Sequence, residues 1–362
     1  MIDIAHVEEN DEVKILSSPQ YNYHFNKKNG VHIRWGKTMS SEDDPVWSPF
    51  GPEILDLEIS EGICMGNCPY CYKSNGKDAK DHHMSLDEFK TILSKMPKTL
   101  TQIAFGICDI ESNKDFWKML KYSRNQGVIP NYTCNGFQVT DKVAKKTAEL
   151  CGAVAVSLVN KNRTIDAVKR FIDAGCPQVN IHYMLSEETY DRAHLLIEEL
   201  KHVQGFRALV FLQYKPKGRN PAAFSVVKTV EKYKKLIDHC VAADVGYGFD
   251  SCSCPSWYQT IDSDQLEKIS MCGEPCESAL FSSYISCHGE FFPCSFIEGE
   301  KGWTEGLDVF DCNNFLKDIW MHPRVAEWRK NLIHSTANCK CKMQSICRAC
   351  PVFDITPCKN DK

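Results

Sequence analysis

The sequence has no apolar run approaching the roughly 20 residues needed to cross a bilayer. Its opening stretch, MIDIAHVEEN, lacks the basic start and apolar segment of a secretory signal. Internal repeats and low-complexity tracts are absent. Positive charge is not in excess: 43 Lys and Arg against 47 Asp and Glu leave a net charge of −4, which argues against a chain built to grip nucleic-acid phosphates. Together these absences predict a cytoplasmic protein with no membrane partner, in a compartment where thiols stay reduced. The 362 residues, 43% hydrophobic, suffice for one large core with a smaller appended unit.

What the chain has in abundance is cysteine, with 20 copies. A disulfide framework suits small secreted domains, and this chain reads as neither small nor secreted. Metal ligation, redox chemistry and buried thiols packing as small apolar residues remain. Spacing has to separate them.

Residues 1–52 read as an N-terminal extension: YNYHFNKKNGVHIRWG alternates around a hairpin turn at Lys28-Asn29-Gly30, and SSEDDPVWSPFGPE is an irregular connector. A strand–helix rhythm then fills residues 53–250. Strands are predicted at EILDLEIS, TQIAFGI, IPNYTC, AVAVSLV, QVNIHYML and RALVFLQY, with a short last one at GYGFD. Amphipathic helices are predicted between them, the first (SLDEFKTILSKM) opening on a Ser cap. Six such units with mostly apolar strands imply an α/β fold, a parallel sheet covered by helices that opens out or curls into a barrel. In either case the active face lies at the strand C-terminal ends. Residues 251–362 are rich in Cys, Pro and Gly, with one convincing helix at FLKDIWMHPRVAEWRKNLI. They suggest a small domain held together by metal.

Directly after the first strand, EGICMGNCPYCYKSNG sets Cys64, Cys68 and Cys71 in the spacing C-x3-C-x2-C. Three thiolates from one short loop suit a 4Fe–4S cubane whose fourth iron has no protein ligand. An open metal position is what catalysis needs, whereas structural zinc takes four protein ligands, and no nearby His or Cys obviously completes this set.

C-x3-C-x-aromatic-C, with Tyr70 as the aromatic, resembles the signature of the radical S-adenosylmethionine superfamily. The resemblance covers roughly residues 54–250 and implies a partial (β/α)6 barrel, in agreement with the strand count. It implies that S-adenosylmethionine chelates the open iron and yields a 5′-deoxyadenosyl radical that abstracts a substrate hydrogen. Other cofactor contacts follow by position. AFGICDIE stands where the family has a Gly-Gly-Glu segment; it keeps Gly106 and offers Asp109 as the acceptor. Asn135 matches the Asn-Gly ending of the third strand, Ser157 a polar residue on the fourth, and Asn180 one on the fifth. Asn135 and Asn180 also fit as plain turn or strand-end residues.

Near the C-terminus, Cys276 and Cys294 frame Gly289 as C-x12-G-x4-C, followed by Cys339-x-Cys341-x5-Cys347-x2-Cys350 and Cys358. This is similar to the SPASM extension, which carries one or two auxiliary 4Fe–4S clusters, with two spacings off by one residue. The resemblance implies one cluster on Cys272, Cys276, Cys294 and Cys350 and another on Cys339, Cys341, Cys347 and Cys358. Structural zinc on Cys339, Cys341, Cys347 and Cys350 is the alternative. Cys252, Cys254, Cys287 and Cys312 are substitutes for any one ligand. Cys108, Cys134, Cys151, Cys176 and Cys240 lie in or beside regular elements and read as apolar fillers.

GFDSCSCPSWY follows the last predicted strand, so Asp250 and Cys252 are candidate catalytic residues at the barrel mouth. Asp250 would bind or deprotonate substrate, and Cys252 would return a hydrogen atom. The plainer expectation for each is a turn cap and a packed or ligating thiol. The family resemblance implies a peptide or protein side chain as substrate and a reductant such as flavodoxin or ferredoxin. A nucleoside or small metabolite is the alternative substrate. A non-catalytic iron–sulfur carrier or a zinc-stabilised interaction protein is the alternative of another class.

Overall fold

A computed structural model describes residues 5–38, 44–262, 265, 273–300, 302–341, 343–344 and 346–357. Cys272 and Cys358 lie outside the described residues.

The chain opens with an antiparallel meander of His6–Glu9 (β1), Val13–Ser17 (β2), Asn22–Asn26 (β3) and His32–Trp35 (β4). The β3–β4 turn is the expected hairpin at Lys28-Asn29-Gly30, closed by Gly30 N–H on the Asn26 carbonyl at 2.9 Å. The first two strands add to it. They are short, and β1 (HVEE) is polar, so alternation alone did not reveal them.

Seven parallel strands follow, adjacent in space in their sequence order: Ile54–Glu58 (β5), then, beyond the two-residue pair Ser60–Glu61 (β6) and His82–His83 (β7), Gln102–Gly106 (β8), Ile129–Cys134 (β9), Ala153–Ser157 (β10), Val179–Leu185 (β11), Ala208–Gln213 (β12) and Tyr247–Phe249 (β13). The crossover helices are Leu86–Lys95 (α1), Phe116–Asn125 (α2), Asp141–Leu150 (α3), Lys161–Asp173 (α4), Tyr190–Leu200 (α5) and Val230–Ala242 (α6). Ser85 and Glu88 form a reciprocal capping box at the start of α1, which satisfies two backbone donors that a helix leaves orphaned. Alternation along the strands sends Leu55, Leu57, Ile103, Phe105, Val154, Val156, Leu209 and Phe211 into the helix-covered core. The partial β/α barrel expected from the rhythm is therefore present.

The region after residue 250 departs from expectation in two ways. A further helix, Cys254–Thr260 (α7), forms there, and Ser282–Ile285 (β14) joins the barrel sheet parallel to β5, followed by Glu290–Phe292 (β15) and Leu307–Asp308 (β16). Phe291, Phe315, Trp320 and Trp328 share one apolar cluster with the barrel core, so apolar packing as well as cysteine anchors this segment. The single C-terminal helix that was predicted is broken. A π-helical turn runs over Phe315–Trp320, and Pro323 begins a new helix, Pro323–Ile333 (α8). Proline lacks the N–H to continue the first helix but suits the opening position of the second. Among the described residues, no helix is long and apolar enough to cross a membrane.

The meander packs against the strand N-terminal ends and, through its apolar side chains, against the segment that carries Cys276. Lys14 Nζ donates to the Leu100 carbonyl at 2.7 Å and the Tyr23 hydroxyl to the Thr99 carbonyl at 2.8 Å. Below β5, Glu53 is fully buried and accepts from Arg34 Nη2 (2.7 Å) and the Tyr21 hydroxyl (2.8 Å), while Arg34 Nη1 reaches Glu277 at 3.0 Å. This network ties the meander, the barrel and the C-terminal segment together. Arg34→Ala leaves the buried Glu53 carboxylate without its cation and is expected to cost about 3–5 kcal/mol in denaturant unfolding. A loss below about 1 kcal/mol, the range of an exposed ion pair, would reject this role.

Candidate metal centres and the barrel mouth

The neck formed by β6 and β7 closes a loop at the C-terminal end of β5, and this loop holds Cys64, Cys68 and Cys71. All three are free, half-buried thiols. Burial and the neighbouring Cys71 and Cys64 sulfurs push Cys68 up to about 11, and burial raises Cys71 as well. Three sulfurs so placed become thiolates together only around a cation, which is the donor set an iron–sulfur cluster with one open iron requires.

Residues far apart in sequence hold this loop in shape. Met65 N–H donates to Asp109 Oδ2 at 2.9 Å; Asn135 Nδ2 donates to Asp109 Oδ1 and lies 3.5 Å from Cys64 Sγ; and Asn135 Oδ1 accepts from Phe137 N–H at 3.0 Å. From the loop after β12, Arg219 donates to Asn67 Oδ1 at 2.7 Å and to the Asn75 carbonyl, and its own N–H binds the Cys71 carbonyl at 3.1 Å. Gly218, at φ +86°, is needed for this approach, since a Cβ there would lie 2.2 Å from the Cys71 oxygen. Asn67 and Ser74 adopt φ of +43° and +59°, conformations that these bonds sustain.

The cofactor-contact candidates therefore fall into two groups. Asp109 and Asn135 have their side-chain atoms engaged in shaping the cysteine loop. Gly106, Ser157 and Asn180 lie on the strand face opposite the helix-covered core, where their neighbours Asp56, Thr133 and His182 also point into the lumen. Tyr70 packs edge-on against Phe224, with centroids 5.7 Å apart.

A second centre lies behind the mouth. Cys252, Cys276, Cys294 and Cys350 line one cavity together with Lys215 and Arg348. Burial pushes Cys276 up to about 11 and Cys294 up to about 12. Four thiols around one cavity fit a fully ligated cluster. Three of them were expected together; Cys252 joins them, while Cys272 is not among the described residues. Asp250 has its carboxylate committed: Oδ1 accepts from Ser253 Oγ at 2.6 Å and Ser253 N–H at 3.0 Å, and Oδ2 pairs with buried Lys215 at 2.7 Å. The structure thus gives Asp250 the turn cap and Cys252 the position in the thiol cavity that were the plainer expectations for each.

Cys254, Cys341 and Cys347 meet in a separate small core with Tyr258 and Met343, and Cys339 Sγ accepts from Cys341 N–H at 3.3 Å. Of the alternative zinc grouping, Cys341 and Cys347 lie in this small core, while Cys350 lines the other cavity. Cys108, Cys134, Cys151 and Cys240 are buried, as expected of fillers. Sequence reasoning missed Lys215, Arg219 and the contact joining the first two centres. In that contact Tyr72, next to Cys71, packs on Phe296, two residues from Cys294, at a centroid distance of 4.3 Å. Only the fold brings these positions together.

This partial barrel, with a three-cysteine loop after its first strand and clustered thiols behind, shares its fold with solved structures of two other proteins. Among solved structures, SuiB of Streptococcus suis bound to precursor peptide SuiA matches at a TM-score of 0.71 and 12% identity, covering 95% of each chain. SuiB bound to S-adenosylmethionine matches at 0.66 and 11% identity, covering 96% of this chain and 95% of that one. The anSMEcpe protein bound to S-adenosylmethionine and Cp18Cys peptide matches at 0.59 and 14% identity, covering 82% and 88%. No family model and no curated protein sequence matches this chain.

Proposed function

We propose that this chain is a radical S-adenosylmethionine enzyme that modifies a peptide or protein side chain. The observation that carries the proposal is the half-exposed three-thiol loop at the C-terminal end of the first barrel strand. Support comes from SuiB and anSMEcpe, which share the fold and were solved with S-adenosylmethionine and with peptides. Cys64, Cys68 and Cys71 would hold the catalytic 4Fe–4S cluster, which when bound supplies the electron that cleaves S-adenosylmethionine to a 5′-deoxyadenosyl radical.

The chain's own residues then have separable tasks. Asp109, Asn135 and Arg219 fix the loop backbone, and Gly106, Ser157 and Asn180 present the lumen surface to the cofactor, with Tyr70 flanking it. Ile63 and Met65, 48% and 46% exposed, border Cys64 and offer apolar contact to a substrate entering the mouth. Cys252, Cys276, Cys294 and Cys350 would carry one auxiliary 4Fe–4S cluster, with Cys252 taking the place first given to Cys272. Cys339, Cys341, Cys347 and Cys358 remain the candidates for a second, with Cys254 beside them. A flavodoxin- or ferredoxin-like reductant would deliver the electron in the cytoplasm.

Anaerobically reconstituted protein, incubated with cofactor, reductant and candidate peptides, is expected to release 5′-deoxyadenosine and to change the peptide's mass. Replacing Cys64, Cys68 and Cys71 together by Ala should abolish cleavage while the auxiliary iron remains. Cleavage that survives this change defeats the proposal, and cleavage stimulated only by a non-peptide substrate defeats the peptide assignment. Cys252→Ala is expected to remove about one cluster's worth of iron with the catalytic cluster intact; undiminished iron would return the fourth position to Cys272.

A further inference from the structure

The neck of the cysteine loop faces a third cluster of metal-binding side chains that serves neither centre. It lies where β6 and β7 meet the β14–β15 turn. That turn is closed by Gly289 N–H on the Ser286 carbonyl at 2.9 Å. Gly289 sits at φ +80°, and a Cβ there would lie 2.1 Å from the Phe310 ring, so the turn tolerates glycine alone. The tight turn presents Cys287 and His288 to His82 of the neck.

One nitrogen each of His82 and His288 and the Cys287 sulfur all lie within 4.8 Å of one another. The two imidazoles stack with centroids 4.1 Å apart, so binding one ion requires one ring to turn until both in-plane lone pairs meet. Each already has one nitrogen engaged by an oxygen: His82 Nε2 by the Cys287 carbonyl at 3.2 Å, His288 Nε2 by Glu61 Oε1 at 2.8 Å. Each ring therefore keeps Nδ1 as its available ligand atom, and a carbonyl or carboxylate on the opposite nitrogen is the usual arrangement behind a metal-bound histidine, because it orients the ring and makes the other nitrogen more basic. Cys287 is free and only 2% exposed, and the nearby Glu58 and Glu61 oppose its ionisation. A divalent cation reverses that penalty. Glu58 itself is held by Lys73 at 3.0 Å and by the Tyr284 hydroxyl at 2.8 Å, which leaves Glu61 as the carboxylate serving this cluster.

We infer that His82, Cys287 and His288 bind a zinc ion, with Glu61 orienting His288 and the fourth position left to water. Two imidazoles and one thiolate are a donor set that favours zinc over magnesium or calcium. The ion would clip the neck of the cysteine loop to the β14–β15 turn and so brace the loop from its base. The inference stands apart from the proposed activity, since none of these residues belongs to the thiol centres.

The test uses the full iron-loaded chain, desalted from chelator and titrated anaerobically with Co2+ and then with Zn2+. One equivalent of Co2+ is expected to give visible ligand-field bands with a thiolate charge-transfer band, and Zn2+ should remove them while iron content stays constant. Cys287→Ser should abolish the charge-transfer band. His288→Gln, at an exposed position that leaves the core untouched, should weaken zinc binding on the order of 10–100-fold. The Cys64, Cys68 and Cys71 triple variant should keep the zinc. A cobalt spectrum without thiolate character, or unchanged zinc affinity in His288→Gln, would overturn the inference.

Discussion

Sulfur atoms crowded at partly buried positions cannot all carry charge unless a cation joins them, and this constraint governs the architecture. Cys64, Cys68 and Cys71 sit on a single loop, and four further thiols converge on one cavity. Burial raises Cys68 and Cys71 in the first place and Cys276 and Cys294 in the second, while the fold holds each group together. A polypeptide gains nothing from such an arrangement by packing alone. The surrounding design follows: Asp109 and Asn135 brace the first loop from within the barrel, and Arg219 reaches it from the opposite rim.

The two centres are joined through packed side chains. Tyr72 stacks on Phe296, and Phe296 in turn lies under Lys215, whose Nζ is 4.4 Å from the ring centroid and which pairs with Asp250 beside Cys252. A parallel polar link runs from Lys73 to Glu58, Glu298 and the Tyr284 hydroxyl. The residues next to one set of thiols thus touch the residues next to the other. Because β14 pairs directly with β5, the strand that launches the first loop is also registered against the segment that carries Cys294. The relative position of the two centres is therefore set by a sheet ladder and a buried ion-pair network.

The barrel was legible because its signals are local. Apolar strands, amphipathic helices and the C-x3-C-x2-C loop each declare themselves within a dozen or so residues. The C-terminal half was harder to read, since its structure depends on partners distant in sequence. β14 joins the sheet beside a strand more than 200 residues earlier, and Cys252 and Cys350, nearly 100 positions apart in the sequence, line one cavity. Spacing patterns rank cysteines only by their neighbours in the chain, which is why Cys252 entered the reading only as a substitute ligand. The turn cap at Asp250 was a plain sequence expectation, but nothing in GFDSCSCPSWY reveals that Lys215 pairs with its carboxylate.

The charges around the second cavity complete the electrostatic argument. Four thiolates around a 4Fe–4S core leave the assembly net negative, and a buried anion needs nearby cations to persist. Lys215 is buried, paired with Asp250, and held further in its charged form by the adjacent Cys252 thiol. Burial lowers Arg348, but the attraction of Glu277 and Cys276 opposes that loss. Asp250 neutralises part of the lysine and so limits how far the cavity favours added negative charge. Removing that carboxylate would leave Lys215 facing the sulfurs alone and stabilise the more reduced, more negative state of any cluster bound there. Asp250, engaged by Ser253 and Lys215, therefore shapes the electrostatic environment of the second cavity.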